Sequence, residues 1–256
     1  MYELNGRNAL ITGGAHGIGR AVALRLADEG CDIGLFDLDR DGAEATAEAV
    51  RAKGRRCVVA SGDVTRPEQV GDGARAIEAE LGPTDILMNN AGILRIAPLL
   101  ETPLEDMRAQ FSINVEGVFH FCQAVVPGMV SRGRGRVINM SSWLGKHGVA
   151  QYSIYCASKF AVIGLTQSLA AEISGSGVTV NAVCPGIIVE TQMRDGAEEV
   201  HREKGLPMAL ERLHTVPVGR LGVPDDVART VAFLASDESE YMTGQAINIT
   251  GGLWFD

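Results

Sequence analysis

Residues 8–19 read NALITGGAHGIG. Asn8–Thr12 is a short apolar run closing on a β-branched residue, the pattern of a buried strand. Glycines follow at 13, 17 and 19, and residues 17–30 then carry apolar side chains at helical spacing and stop on a glycine. A strand, a glycine-rich turn and a helix in that order open a dinucleotide-binding βαβ unit. Gly13 permits the tight turn, Gly17 lets the backbone approach a pyrophosphate, and Gly19 lets the helix pack close to the sheet. The free N–H groups and positive dipole end of the helix would face that anion, with His16 and Ile18 inside the loop.

The next apolar run, residues 31–37, ends on Asp37, 18 residues after Gly19. A carboxylate there accepts hydrogen bonds from adenosine ribose hydroxyls and repels a 2′-phosphate. His16 stands where an arginine or lysine would favour the phosphorylated cofactor, and it is mostly uncharged at neutral pH. Arg40, the only nearby cation, is flanked by Asp39 and Asp41. The spacing therefore predicts NAD in preference to NADP. Asp63 and Val64, after the third apolar run, are placed to bracket the adenine ring; a loop-starting aspartate is equally a cap.

Further short β-branched runs lie at 55–61, 85–89, 136–141, 178–185 and 245–250, with helix-like stretches between them. Near-continuous apolar strands alternating with helices indicate an α/β fold, a Rossmann-like doubly wound parallel sheet covered on both faces. No linker, repeat or low-complexity tract interrupts residues 1–256, so one domain is expected. One segment breaks the rhythm. Residues 186–223 contain the charged stretch RDGAEEVHREKG and separate the sixth strand from the next clear helix. It is expected to be a substrate lid, because ligands bind at strand carboxyl ends in such sheets; a solvated surface helix is the plainer alternative.

A formal net charge of −9 with no lysine/arginine cluster makes nucleic acid an unexpected partner. No run of 18 apolar residues is present, so no membrane span is expected. Five cysteines without a C-x-x-C pair read as reduced thiols, hence a reducing, cytoplasmic setting. The five histidines show no metal-ligand spacing, and no metal is expected.

The stretch QYSIYCASK, residues 151–159, carries two of the four tyrosines. On a helix over 152–175 with Ala157, Phe160, Ala161, Leu165 and Leu169 as its apolar face, Tyr155 and Lys159 stand about 6 Å apart along the axis. A lysine ammonium there favours the phenolate, moving a free tyrosine down from a pKa of about 10 toward use as a base. Tyr155 could then take a proton from an alcohol as hydride leaves its carbon, or return it in reduction. Tyr152 lies about 10 Å from Lys159, too far for the same help, and reads as a pocket wall. Ser142 and Ser141 both offer a hydroxyl for the reacting oxygen at the end of the fifth strand, on opposite faces. Asn114 sits within a long helix beginning near Pro103. Buried there it needs a partner, for which a water near Lys159 is a candidate. Leu94 and Trp143, with Tyr152, are candidate substrate contacts.

These residues together resemble the short-chain dehydrogenase/reductase family. Its T-G-x-x-x-G-x-G appears as Thr12 to Gly19, its N-N-A-G as Asn89-Asn90-Ala91-Gly92, its Y-x-x-x-K as Tyr155 to Lys159 and its P-G turn as Pro185-Gly186. Ser142 stands thirteen residues before Tyr155, the family spacing, which selects it over Ser141. The resemblance implies seven parallel strands, a homotetramer or homodimer, cofactor contacts at Asn90, Ala91, Gly92, Pro185, Gly186 and Ile188, and Asn114 in a proton relay. Lys159 would also hold the nicotinamide ribose. Where the family commonly has a threonine four residues after the P-G glycine, this chain has Glu190, with Thr191 one place later. The expected activity is hydride transfer between NAD(H) and a secondary alcohol or polyol and its ketone. The alternative is reduction of a 3-oxoacyl group on a carrier protein, which usually goes with NADPH and a basic docking patch. From another class, a non-catalytic nucleotide sensor or scaffold would not need Ser142, Tyr155 and Lys159 together.

Overall fold

The computed structural model describes residues 2–255. Its seven strands are β1 (Asn8–Thr12), β2 (Asp32–Asp37), β3 (Cys57–Ser61), β4 (Ile86–Asn89), β5 (Gly135–Met140), β6 (Val178–Pro185) and β7 (Ala246–Ile249). They form one sheet in the order β3-β2-β1-β4-β5-β6-β7, every neighbouring pair parallel. The order reverses between β1 and β4, and that opens a crevice at their carboxyl ends.

Alternation along each strand divides its residues between two cores. Ala9, Ile11, Ile33, Leu35, Ile86 and Met88 face one way, against α1 (Gly17–Asp28), α2 (Arg40–Arg51) and α8 (Pro224–Ala235). Leu10, Phe36, Leu87 and Val137 face the other, against α3 (Pro67–Leu81), α5 (Gly117–Arg132) and α6 (Ser153–Ile173). Fully burying a side chain of this size contributes about 1.5–3 kcal/mol. That is why the strands read as continuous apolar runs: both faces are covered.

Two expectations about helices need correction. The helix predicted from Pro103 is α4 (Leu104–Phe111), a π turn (Ser112–Glu116) and then α5, and Asn114 lies in the π turn. On α6 the residues turned to the sheet are Tyr155, Ser158, Lys159, Val162, Thr166 and Ala170, whereas Phe160 is half exposed and Ala157 exposed. Of the stripe taken for the core face, Leu169 packs against the second core while Ala157 and Phe160 look outward; the inward face is mixed in polarity. The segment Ser153–Ser176 is long and apolar enough by composition to cross a membrane. Its inward face carries the buried Lys159 and packs against β6 and the turn after β5, the placing of a protein-interior helix.

The segment after β6 is ordered. It holds α7 (Gln192–Lys204) and a 3₁₀ turn (Leu210–Thr215). Glu190 has φ +60, the left-handed region, and Thr191 then caps α7 by accepting from the Arg194 amide at 3.1 Å.

Candidate active site

Thr12 ends β1, and its hydroxyl accepts the Asn90 and Ala91 amides, both at 3.0 Å. The Asn90 side chain donates back to the Thr12 and Gly13 carbonyls at 3.1 and 2.8 Å. The glycine turn and the N-N-A-G turn are thereby locked together across the crevice. Gly13 has φ +67, which an L side chain rarely adopts. A Cβ on Gly19 would overlap the Gly13 carbonyl oxygen, so the third glycine allows α1 to start this close to the sheet. The second strand's Asp37 accepts from the Ala15 amide at 2.8 Å and from the Asp39 amide at 3.0 Å, which fixes its carboxylate at the crevice while leaving lone pairs for two hydroxyls. His16 Nε2 pairs with Asp39 Oδ2 at 2.6 Å. The Asp39 carboxyl is held below the usual range by the Gly42 amide and by His16.

A cleft of about 300 Å³ runs from this loop to the other end of the site. It is lined by Gly13, His16, Gly17, Ile18, Asp37, Asn90, Ala91 and Gly92, then by Leu94, Ser142, Trp143, Tyr152, Tyr155 and Lys159, with Pro185, Gly186, Ile188 and Thr191 along one wall. Its glycine-walled half has the bare backbone and facing carboxylate that suit a dinucleotide, so the residues present fit that cofactor. Gly19, Asp63, Val64 and Asn114 are outside the lining. Asp63 Oδ1 caps the Thr65 amide at 2.9 Å, and Val64 packs against Gly117 in the second core.

At the far end, Lys159 and Tyr155 are buried side by side, with the ammonium 5.7 Å from the ring centroid. Lys159 Nζ donates to the Met140 carbonyl at 2.8 Å. Burial pulls the lysine down to about 8. Burial pushes the Tyr155 phenol up to about 12, against the Ser142 hydroxyl beside it and the Arg194 charge, both of which lower it. The sequence predicted the opposite direction for the tyrosine. Burying a phenolate costs more than its polar neighbours return, and the lysine charge is turned toward a carbonyl.

The two serines separate cleanly. Ser141 donates to the Lys159 backbone carbonyl at 2.9 Å, a tie between β5 and α6. Ser142 accepts the Leu144 amide at 3.1 Å and keeps its own proton toward Tyr155. Asn114 is wholly buried and its amide is engaged by protein groups. Its Oδ1 accepts the Ile93 amide at 2.8 Å, and its Nδ2 donates to the Ile93 carbonyl and the Ser158 hydroxyl at 3.0 and 3.1 Å. The amide therefore clamps the loop after β4 to α6.

Tyr152 is buried, and its hydroxyl meets His201 Nε2 on α7 at 2.5 Å. His201 Nδ1 must donate to the Pro207 carbonyl, 2.7 Å away, so Nε2 accepts from the tyrosine. Glu198 accepts the Ala209 amide, and Lys204 Nζ donates to the Ile96 carbonyl at 2.8 Å, so α7 is fastened over the cleft on three sides. Thr191, not Glu190, faces the glycine loop, with side-chain carbons 3.3 Å from where a Gly17 Cβ would stand. The left-handed Glu190 absorbs the extra residue.

The chain matches the family described as "Enoyl-(Acyl carrier protein) reductase" over residues 13–254. Among curated proteins it is 39% identical, over 98% of this chain and 97% of the other, to a short-chain dehydrogenase/reductase of Armillaria gallica. The chain belongs to the short-chain dehydrogenase/reductase family. A 3-oxoacyl-[acyl-carrier-protein] reductase of Thermotoga maritima is 40% identical over 98% of this chain and 99% of that one. Among solved structures, levodione reductase superimposes with a TM-score of 0.92 at 34% identity over 97% of each chain. A short-chain dehydrogenase/reductase from Mycobacterium marinum gives 0.88 at 33% identity, over 100% of this chain and 98% of that one.

A short-chain dehydrogenase/reductase site thus accounts for most of the lining. Sequence reading missed Met193 and Arg194, which complete it from α7. Arg194 and Glu198 stand four apart and read as an ordinary surface pair; only the folding-over of α7 turns them inward.

Proposed function

We propose that this chain interconverts a ketone and its secondary alcohol with a nicotinamide dinucleotide. The carrying observation is that Ser142, Tyr155 and Lys159 converge on the cleft that continues into the glycine loop. The dinucleotide would supply or accept the hydride. Tyr155 holds a proton at neutral pH, because burial keeps its phenol high, and gives it to the carbonyl oxygen in reduction. Ser142 positions that oxygen beside the phenol. Lys159, cationic below about 8, steadies the negative charge that develops there. Asn114 acts as a positioning residue through Ile93 and Ser158. Asp37, with Asp39 beside it, supports NAD over NADP, since two carboxylates disfavour a 2′-phosphate.

Two substrate classes remain in play, each with its own support. The curated relatives named 3-oxoacyl-[acyl-carrier-protein] reductase favour a 3-oxoacyl thioester as the ketone. The net charge of −9 and the fastened lid favour a small free alcohol or polyol. The half-exposed Phe119 on α5 and Phe160 on α6 support a homo-oligomer, and five free thiols support a reducing cytoplasmic setting.

One panel tests the reading. Initial rates are measured with each of NADH and NADPH on acetoacetyl-CoA and small ketones, and with NAD⁺ on secondary alcohols and polyols. Tyr155→Phe serves as the control. Turnover on one class, abolished in the variant while NADH still binds, is expected. A variant that keeps its rate overturns the assignment of Tyr155, and preference for NADPH overturns that of Asp37.

A further inference from the structure

The cleft end beyond Tyr155 carries positive charge that the reaction described above does not use. Arg194 lines the cleft from the first turn of α7, its side chain 16% exposed. Its guanidinium has five N–H donors. One reaches Glu198 Oε1 at 3.5 Å, a long contact, and another serves the Tyr152 hydroxyl, while the Nε donor is buried with no acceptor. The Glu198 carboxylate is meanwhile engaged by the Ala209 amide at 3.1 and 3.2 Å. Arg212, from the 3₁₀ turn, lays its guanidinium 6.0 Å from the centre of the Trp143 ring. Among the described residues no carboxylate forms an ion pair with it. Burial, the largest influence, pulls it below the usual arginine value, and the positive charge of Arg194 acts in the same direction. The two guanidiniums therefore repel each other, Arg194 from the cleft wall and Arg212 from behind the lining residue Trp143. Both also act on Tyr152, and Arg194 on Tyr155, so the charge stands beside the reacting atoms.

Two half-buried arginines, with the one nearby glutamate held by the Ala209 amide, form an incomplete ion cluster. An unpaired charged donor in such a place costs stability until an acceptor arrives. A planar fork of N–H groups matches an oxyanion with two oxygens. We propose that Arg194 and Arg212 form an anion subsite, and that the substrate is a hydroxy or keto compound bearing a compact oxyanion close to its reacting carbon. The shared chemistry is that of a carboxylate or a phosphate monoester. This rests on the ketone–alcohol reading above and narrows its substrate class. A carrier-bound 3-oxoacyl group does not meet the requirement, because its thioester is neutral and its phosphate lies at the far end of a long arm.

The test pairs charged with neutral probes. The rate of NAD⁺ reduction is measured with 3-hydroxybutyrate against its methyl ester, and with glycerol 3-phosphate against 1,2-propanediol, in wild type, Arg194→Gln, Arg194→Lys and Arg212→Gln. In parallel, calorimetry measures binding of malonate and of inorganic phosphate to each protein with NADH present. Wild type is expected to prefer a charged probe. Arg194→Gln should cut the charged-to-neutral ratio of kcat/KM roughly 10- to 100-fold, the loss of one hydrogen bond to a charged group. Arg194→Lys should restore part of it, and the favoured anion in both assays identifies carboxylate or phosphate. Turnover of neutral probes with no charge preference overturns the subsite and leaves the ketone–alcohol reading standing. Anion binding that depends on Arg194, with no turnover of any probe, keeps the subsite and sinks that reading. If Arg194→Gln weakens NADH as much as malonate, the arginine serves the dinucleotide and the proposal fails.

Discussion

Tyr155 and Lys159 show what four residues of spacing do and do not convey. The pair was legible because a helix fixes i and i+4 on one face. The direction of the tyrosine's shift was not, since it depends on how completely α7 and the turn after β5 exclude water. The lysine offers a measurable consequence. Its ammonium titrates near 8 when folded against 10.5 in a free chain. Between those values the unfolded chain binds more protons, so stability rises with pH across that window. Urea unfolding at stepped pH should show wild type gaining on Lys159→Met from about 8 to 10.5, while both proteins lose stability from about 10 to 12, where the Tyr155 they share charges in the unfolded chain before the folded one. Parallel curves for the two proteins would mean that Lys159 is better solvated than its burial indicates. Glu190 makes a similar point about legibility. The displaced threonine was visible in the sequence, but the left-handed turn that brings Thr191 back to the glycine loop was not, because glutamate gives no local sign of adopting it.

Elements were read best where one period dominated. β1, with its hydrophobic run, and β6 were located to the residue, and α1 was placed within two residues of its end. Reading failed where an element serves two purposes. The inward face of α6 carries a lysine, a tyrosine and two hydroxyls, so an apolar stripe lying partly on its outer side mimicked a core face. The π turn at Asn114 lacks any helix-breaking residue; it is set by the clamp onto Ile93. The segment holding α7 was expected to be a substrate lid, with a solvated surface helix as the plainer alternative; most of α7 is charged surface, but its buried His201 joins it to Tyr152. Tyr152→Phe leaves the His201 Nε2 acceptor buried without a donor, at a cost of about 1–3 kcal/mol. Hydrogen exchange should quicken across residues 192–204 while the sheet stays protected. If α7 keeps its protection, the lid is held by Glu198 and Lys204 alone.

On the scale of the molecule, chemistry and stability sit at opposite ends of the sheet. The carboxyl ends of the strands carry the cleft. At the amino ends, Arg7 before β1 and Arg136 on β5 both reach Asp237 beyond α8, at 2.5 and 2.9 Å. The arginines are buried and the aspartate is two-thirds exposed, so solvent screens part of the attraction. Asp237→Asn should lower the unfolding free energy by about 1–2 kcal/mol, with kcat unchanged at saturating substrate. A fall in kcat without a fall in stability would tie this clasp to the cleft instead. Such separation means that residues of α7 and the cleft can change without disturbing what holds the sheet to α8.

The strand order has a consequence for how the chain is made. β1, the first of these seven strands to be made, ends up inside the sheet with β2 and then β3 on one side of it. Once those three have paired, the other edge of β1 is still open. β4 joins that edge, and β5, β6 and β7 each add to the edge left by the strand before. Nothing already assembled has to reopen to admit a latecomer. From β1 to β7, synthesis and growth of the sheet run in the same direction, with the β3 edge left free and the growing edge passing from β1 to β4 and on to β7.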